Sequence, residues 1–193
     1  MKAFSNYAET ETRRPKEQLP IGGYILEILG VQYENGTNGY SDKLILSFDI
    51  VDDAFAGFYR RNYKAQTGED KKWKGTYQLW VPADDSSERD SWTKSKFKTV
   101  MEAFEESNEG FTWEWDENKL KGLRIGGVFN RKEYDFNGRH GFFTRCKYLT
   151  TVKSIAEGTY SQPEDDYLNN NTPAADDGFM GISEDIENEL PFR

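Results

Sequence analysis

The sequence predicts a mainly β fold: a five-stranded Greek-key barrel with one helix between strands 3 and 4, plus a disordered acidic C-terminal tail. Three observations carry this. Short β-branched and aromatic runs recur between turn-forming Asn, Gly and Asp residues. A single apolar stripe with helical spacing stands in the middle of the chain. Near residue 160 the apolar content collapses and acids accumulate. The length, 193 residues, suits one domain with extensions. The expected division is a flexible arm over 1–19, a folded domain over 20–159 and a disordered interaction tail over 160–193.

Taken in order, Pro20 and Gly22-Gly23 introduce "YILEILGVQY", a strand in which Gly30 marks a bulge or sharp bend. "ENGTNG" (34–39) is turn chemistry. Leu44, Leu46, Phe48 and Ile50 then alternate, the mark of a half-buried strand that closes a hairpin. Residues 57–64, "GFYRRNYK", read as a third strand on an exposed working surface, and "TYQLWV" (76–81) as an extra one. Asp90 or Ser91 is expected to cap a helix running to about Ser107, with Phe97, Val100, Met101 and Phe104 as its core stripe. Two further strands flank "DFNGRHG", where Asn137-Gly138 is a hairpin signal. Gly122, Gly126 and Gly127 suggest close backbone packing. The order of three strands, a helix and two strands matches the oligonucleotide-binding (OB) fold, a five-stranded Greek-key barrel.

Charge is unevenly placed. From residue 157 to 193 ten acids face one base, Arg193, so this segment carries the whole net charge of −9. From 121 to 156 eight bases face only Glu133 and Asp135. A basic region therefore precedes an acidic tail in a body that is otherwise neutral.

The residues for catalysis are few. One Cys (Cys146) and one His (His140) leave little for thiol, hydroxyl or zinc chemistry. Neither G-x-x-x-x-G-K-[ST] nor G-x-G-x-x-G occurs. Paired acids such as Asp52-Asp53 and Asp84-Asp85 could hold a metal in a loop, and such pairs are usually just solvated. The expectation is a non-enzyme with no cofactor. Cys146 reads as a partly buried strand residue. No apolar run reaches ~18 residues and the N-terminus does not read as a secretory signal, so a cytoplasmic protein away from membranes is expected.

Cations and rings interleave from the third strand to the fifth. A protein holding single-stranded nucleic acid needs cations along the phosphates and flat rings under the bases. The candidates are Tyr59, Arg60, Arg61 and Lys64, then Arg131, Lys132, Tyr134, Phe136, Arg139, Arg145 and Lys147. OB folds use the strand 2–3 face and the 1–2 and 4–5 loops, here 34–39 and 135–141. Any single ring is more often core than base platform. Yet 25 of the 29 aromatic residues precede the tail, more than a small barrel can bury.

The ending "SEDIENELPFR" sets Leu190, Pro191 and Phe192 behind a run of acids. It resembles the tip of bacterial single-stranded DNA-binding proteins (SSB), which ends close to D-D-D-I-P-F. It departs from that pattern in Asn188, which interrupts the acids, and Arg193, which follows the Phe. The resemblance implies that Leu190, Pro191 and Phe192 dock on replication or recombination proteins. Residues 19–156, with "LPIGGYILEILGVQYENGTNGYSDKLILSFDIVDDAFAGFYRR" and "LKGLRIGGVF", resemble a divergent single-strand-binding family of phages and mobile elements of Gram-positive bacteria. This implies a sequence-tolerant single-stranded DNA binder of replication or recombination in a bacterial cytoplasm, with a homo-oligomer left open. The alternatives are an OB-fold protein-interaction adaptor that binds no nucleic acid and an enzyme with a metal in a loop.

Overall fold

The structure, a computed structural model, describes residues 5–8, 17–37, 41–67 and 69–168. Strand β1 (Gly22–Glu34) and strand β2 (Lys43–Ile50) form the predicted hairpin, from Leu26 opposite Ile50 to Glu34 opposite Lys43. Their register shifts between Ile28 and Gly30, the bulge expected at that glycine. Leu44, Leu46, Phe48 and Ile50 are all buried, as their alternation requires.

The stretch 57–64 is not the third strand. It forms helix α1 (Phe58–Ala65), and the third strand is β3 (Thr76–Trp80), antiparallel to β2. The cause is a distant carboxylate. Asp49 is buried, and its side chain accepts the amides of Tyr59 (3.0 Å) and Arg60 (3.3 Å) in the first turn of α1. Those amides have no partner inside a helix, and an anion there favours the helical dipole. Gly57, in the left-handed region at φ 71°, turns the chain into the helix.

Helix α2 (Glu88–Ser107) lies between β3 and β4 (Arg124–Phe136), where one helix was expected. It starts earlier than predicted. Ser87 is the cap and accepts from the Asp90 amide at 3.1 Å. Asp90 sits inside the helix, accepts the Asp84 amide (2.9 Å) and pairs with Lys94 (2.8 Å). The stripe Phe97, Val100, Met101 and Phe104 is buried, and α2 packs on β3, β4 and β5 (Arg139–Thr150).

The antiparallel sheet runs β3-β2-β1-β4-β5 and is not closed. The closed barrel expected from the sequence is therefore absent among the described residues. Five-residue β3 is paired along β2 from Lys43 to Ser47, and no ladder joins it to β5. Phe48, Phe129, Tyr24 and Tyr59 meet edge to face at 5.4–6.0 Å in the core. Of the three glycines expected at close backbone approaches, only Gly126 is packed against backbone; Gly127 is covered by side chains, and Gly122 has open space and sits instead in the left-handed region at φ 86°. A Cβ on Gly127 would stand 2.5 Å from Leu26 Cδ1, and one on Gly126 would stand 2.6 Å from the Thr151 carbonyl oxygen.

β1 accompanies β4 only from Arg124 to Phe129. Beyond that point β4 and β5 continue together as an arm to the turn at Asn137 (φ 50°) and Gly138 (φ 73°). Positive φ at both turn residues is what the Asn-Gly pair supplies. After β5, helix α3 (Val152–Glu157) ends on Gly158.

Both ends of the folded body differ from expectation. Leu19, assigned to the arm, is buried, and its carbonyl accepts from the Thr144 hydroxyl at 2.6 Å. Residues 160–168, assigned to the disordered tail, dock on the sheet. The rest of the tail, with Leu190, Pro191 and Phe192, lies outside the described residues. No helix among the described residues is long and apolar enough to cross a membrane.

Candidate nucleic-acid interface

The β4–β5 register decides which predicted residues share a face. Asn130 lies opposite Arg145, Lys132 opposite Phe143, Tyr134 opposite Gly141 and Phe136 opposite Arg139. Side chains directly opposite one another point the same way. One face of the arm thus carries Lys132, Tyr134, Phe136, Arg139 and Arg145. Arg131 points to the other face, where its guanidinium lies 5.4 Å from the Phe142 ring centre.

Two of the three predicted rings change role. Tyr59 and Tyr134 are only 5% exposed. Tyr59 packs on Phe48 and Phe58, and Tyr134 lies against Phe143 and covers Gly141. Buried rings cannot take a base, so neither serves as a platform. Phe136, 37% exposed near the turn, can. Arg60, Arg61 and Lys64 are exposed on α1, which packs on β2 rather than on the arm. Arg60 stands 3.9 Å from Asp49, and Arg61 bonds the Ala56 carbonyl and pairs with Glu17 at 3.7 Å. The predicted set therefore divides between two elements.

What the sequence reading missed is a strap over the free edge of β4. The Asp166 amide donates to the Arg131 carbonyl and the Glu133 amide to the Asp166 carbonyl, both at 2.8 Å, a parallel bridge at Lys132. Gln162 donates to the Phe129 carbonyl (2.9 Å), Asn130 to the Glu164 carbonyl (2.8 Å) and the Leu168 amide to Glu133 (3.0 Å). Tyr160 receives the Gly23 amide at 3.0 Å and starts the strap.

The strap alternates as a strand does. Asp165 pairs with Arg131, and Tyr167 meets Phe142 edge to face at 5.7 Å on the same side. Asp166, on the opposite side, receives Arg145 at 2.6 Å and Lys147 at 3.2 Å. Three of the predicted phosphate-binding cations are thus held by two adjacent carboxylates.

Burial pushes the Asp166 carboxyl up, but Arg145, with help from Lys147, outweighs it and leaves it below the usual carboxylate range. The Arg131 hydrogen bond likewise lowers Asp165. A depressed native pKa gives stability that is full above the unfolded value, near 3.9, and lost as pH falls through the native one. Hydrogen exchange at the Asp166 and Leu168 amides should therefore stay equally slow relative to intrinsic rates at pH 7 and pH 5. Protection should disappear only below about pH 4. Loss of protection already at pH 5 would contradict this account of the ion pairs.

The paired acids considered for a metal have local work instead. Asp52 accepts the Ile25 amide at 3.0 Å, and Asp84 pairs with Lys94. Cys146 is a buried strand residue whose thiol burial pushes up, far from reactive. The chain matches no protein-family model and none of the curated proteins compared with it.

Proposed function

We propose that this protein binds single-stranded nucleic acid without strong sequence preference, along the β4–β5 arm, as a non-catalytic factor in replication or recombination. The observation that carries the reading is the gathering of Arg131, Lys132, Arg139, Arg145 and Lys147 on one hairpin beside the exposed Phe136. Cations neutralise phosphates and release counterions, and an exposed ring stacks with any base. The sheet order β3-β2-β1-β4-β5 supports an OB-type fold, since it is the order of such a barrel opened between its third and fifth strands. On the same reading the acidic tail recruits partner proteins through Leu190, Pro191 and Phe192.

The test is fluorescence anisotropy with a labelled oligothymidylate at several salt concentrations. Affinity should fall linearly with salt on logarithmic axes, with a slope of about −0.7 for each phosphate neutralised. Binding insensitive to salt, or none at all, refutes the reading.

The adaptor alternative has one observation in its favour. Trp115 is 79% exposed and lies parallel to Phe97 (8°, centroids 6.3 Å apart), an apolar surface away from the β4–β5 arm. A folded chain with no affinity for the oligonucleotide supports that second reading.

A further inference from the structure

The strap indicates where the phosphates go. Asp165 and Asp166 place two anionic groups on opposite sides of one extended segment, each against cations from a different face of the arm. Only at the free edge of β4 do Arg131, Arg145 and Lys147 all come within reach of one extended polyanion. The occupation by carboxylate is also incomplete. Arg145 gives an N–H of its terminal amino group to Asp166, while its Nε is buried with no partner. A guanidinium presents a fork, and a phosphodiester can receive both of its prongs.

We propose that the β4 edge is a two-phosphodiester site, occupied in the unliganded protein by the Asp165 and Asp166 carboxylates, and that a nucleic-acid strand binds by displacing the 161–168 strap. This rests on the single-strand-binding reading and adds to it a location and an exchange step. The ion pairs that close the strap are part-exposed, with Arg131 at 51%, Arg145 at 30% and Asp166 at 29%, so water competes for each of them. Only two backbone–backbone hydrogen bonds, at a single bridge, join it to β4, and the other bonds run through side chains such as Gln162, Asn130 and Glu133. Nucleic acid brings many phosphates, and the strap sets two carboxylates, Asp165 and Asp166, against these cations.

The experiment uses the full chain and a labelled oligothymidylate at low salt. Asp165→Asn with Asp166→Asn should bind ~3–20-fold more tightly, the effect of removing three competing ion pairs. Asp176→Asn with Asp177→Asn removes the same charge outside the strap and should change affinity by less than about twofold, as screened charges do. In the wild-type protein, adding oligonucleotide should speed hydrogen exchange at the Asp166 and Leu168 amides while the amides of β1 stay protected. Equal tightening by the two variant pairs, or strap amides that stay protected in the complex, overturns the exchange step and leaves nucleic-acid binding standing. If neither the wild type nor the Asp165→Asn/Asp166→Asn protein binds, the nucleic-acid reading itself fails and the site falls with it.

Discussion

Arg131→Ala, Arg145→Ala and Lys147→Ala combined should weaken oligothymidylate binding by roughly tenfold or more at low salt and flatten the salt slope by about 1.4. Two phosphates lose their cations, each worth about 0.7 of slope on a single strand. The same variant also frees the strap, since Asp165 and Asp166 lose their partners. Strap release by itself favours binding, so a net loss isolates what the cations contribute. Phe136→Ala on the same arm should cost about 1–3 kcal/mol of binding with the slope unchanged, because stacking releases no counterions. An affinity and slope unaffected by the triple change would place the phosphate path elsewhere, with α1 and its Arg60, Arg61 and Lys64 the next candidate.

Asp49→Ala should lower folding stability by about 3 kcal/mol, read as a shift of the urea midpoint. It strands three backbone donors, the amides of Ile50, Tyr59 and Arg60, in a site where Asp49 is 3% exposed. It also frees the first turn of α1, and with it the positions of Arg60, Arg61 and Lys64. Asp49→Asn should recover most of the loss. Oδ1 alone serves Ile50 and Tyr59, so one remaining oxygen keeps two of the three bonds. A midpoint unmoved in Asp49→Ala would mean that α1 forms on local preference, which its sequence does not suggest.

These two experiments address the points at which reading the chain and seeing the fold diverge. The hairpins were legible because their signals are local. Alternation from Leu44 to Ile50 assigns a buried face, Gly30 marks a bulge, and Asn137-Gly138 supplies two positive-φ residues at the tip. The stripe from Phe97 to Phe104 is likewise contained in two turns of one helix. The basic content of the arm was visible too, but its division between two faces follows from the cross-strand register, which depends on both strands together.

Residues 57–64 show no alternation that would make a strand, and the rings at 58, 59 and 63 make a stripe of barely two turns, too short to start a helix alone. Asp49, on the neighbouring strand, settles the matter by receiving the amides that a helix start leaves open. Composition likewise marks 160–168 as polar and acidic, without the apolar surface to order itself. Order comes from outside the segment. β1 leaves β4 after Phe129, so an edge with unpaired backbone groups and three adjacent cations is open to it. By itself the sequence determined the strands, the long helix, the bulge, the hairpin tip and the polarity between a basic arm and an acidic tail, all of which rest on periodicity or turn chemistry within a few residues. The open sheet, the helix at 58–65, the burial of Tyr59 and Tyr134 and the acidic strap on β4 were decided by tertiary structure, because each depends on a hydrogen-bonding or ionic partner, or a packing neighbour, that only the folded chain brings close.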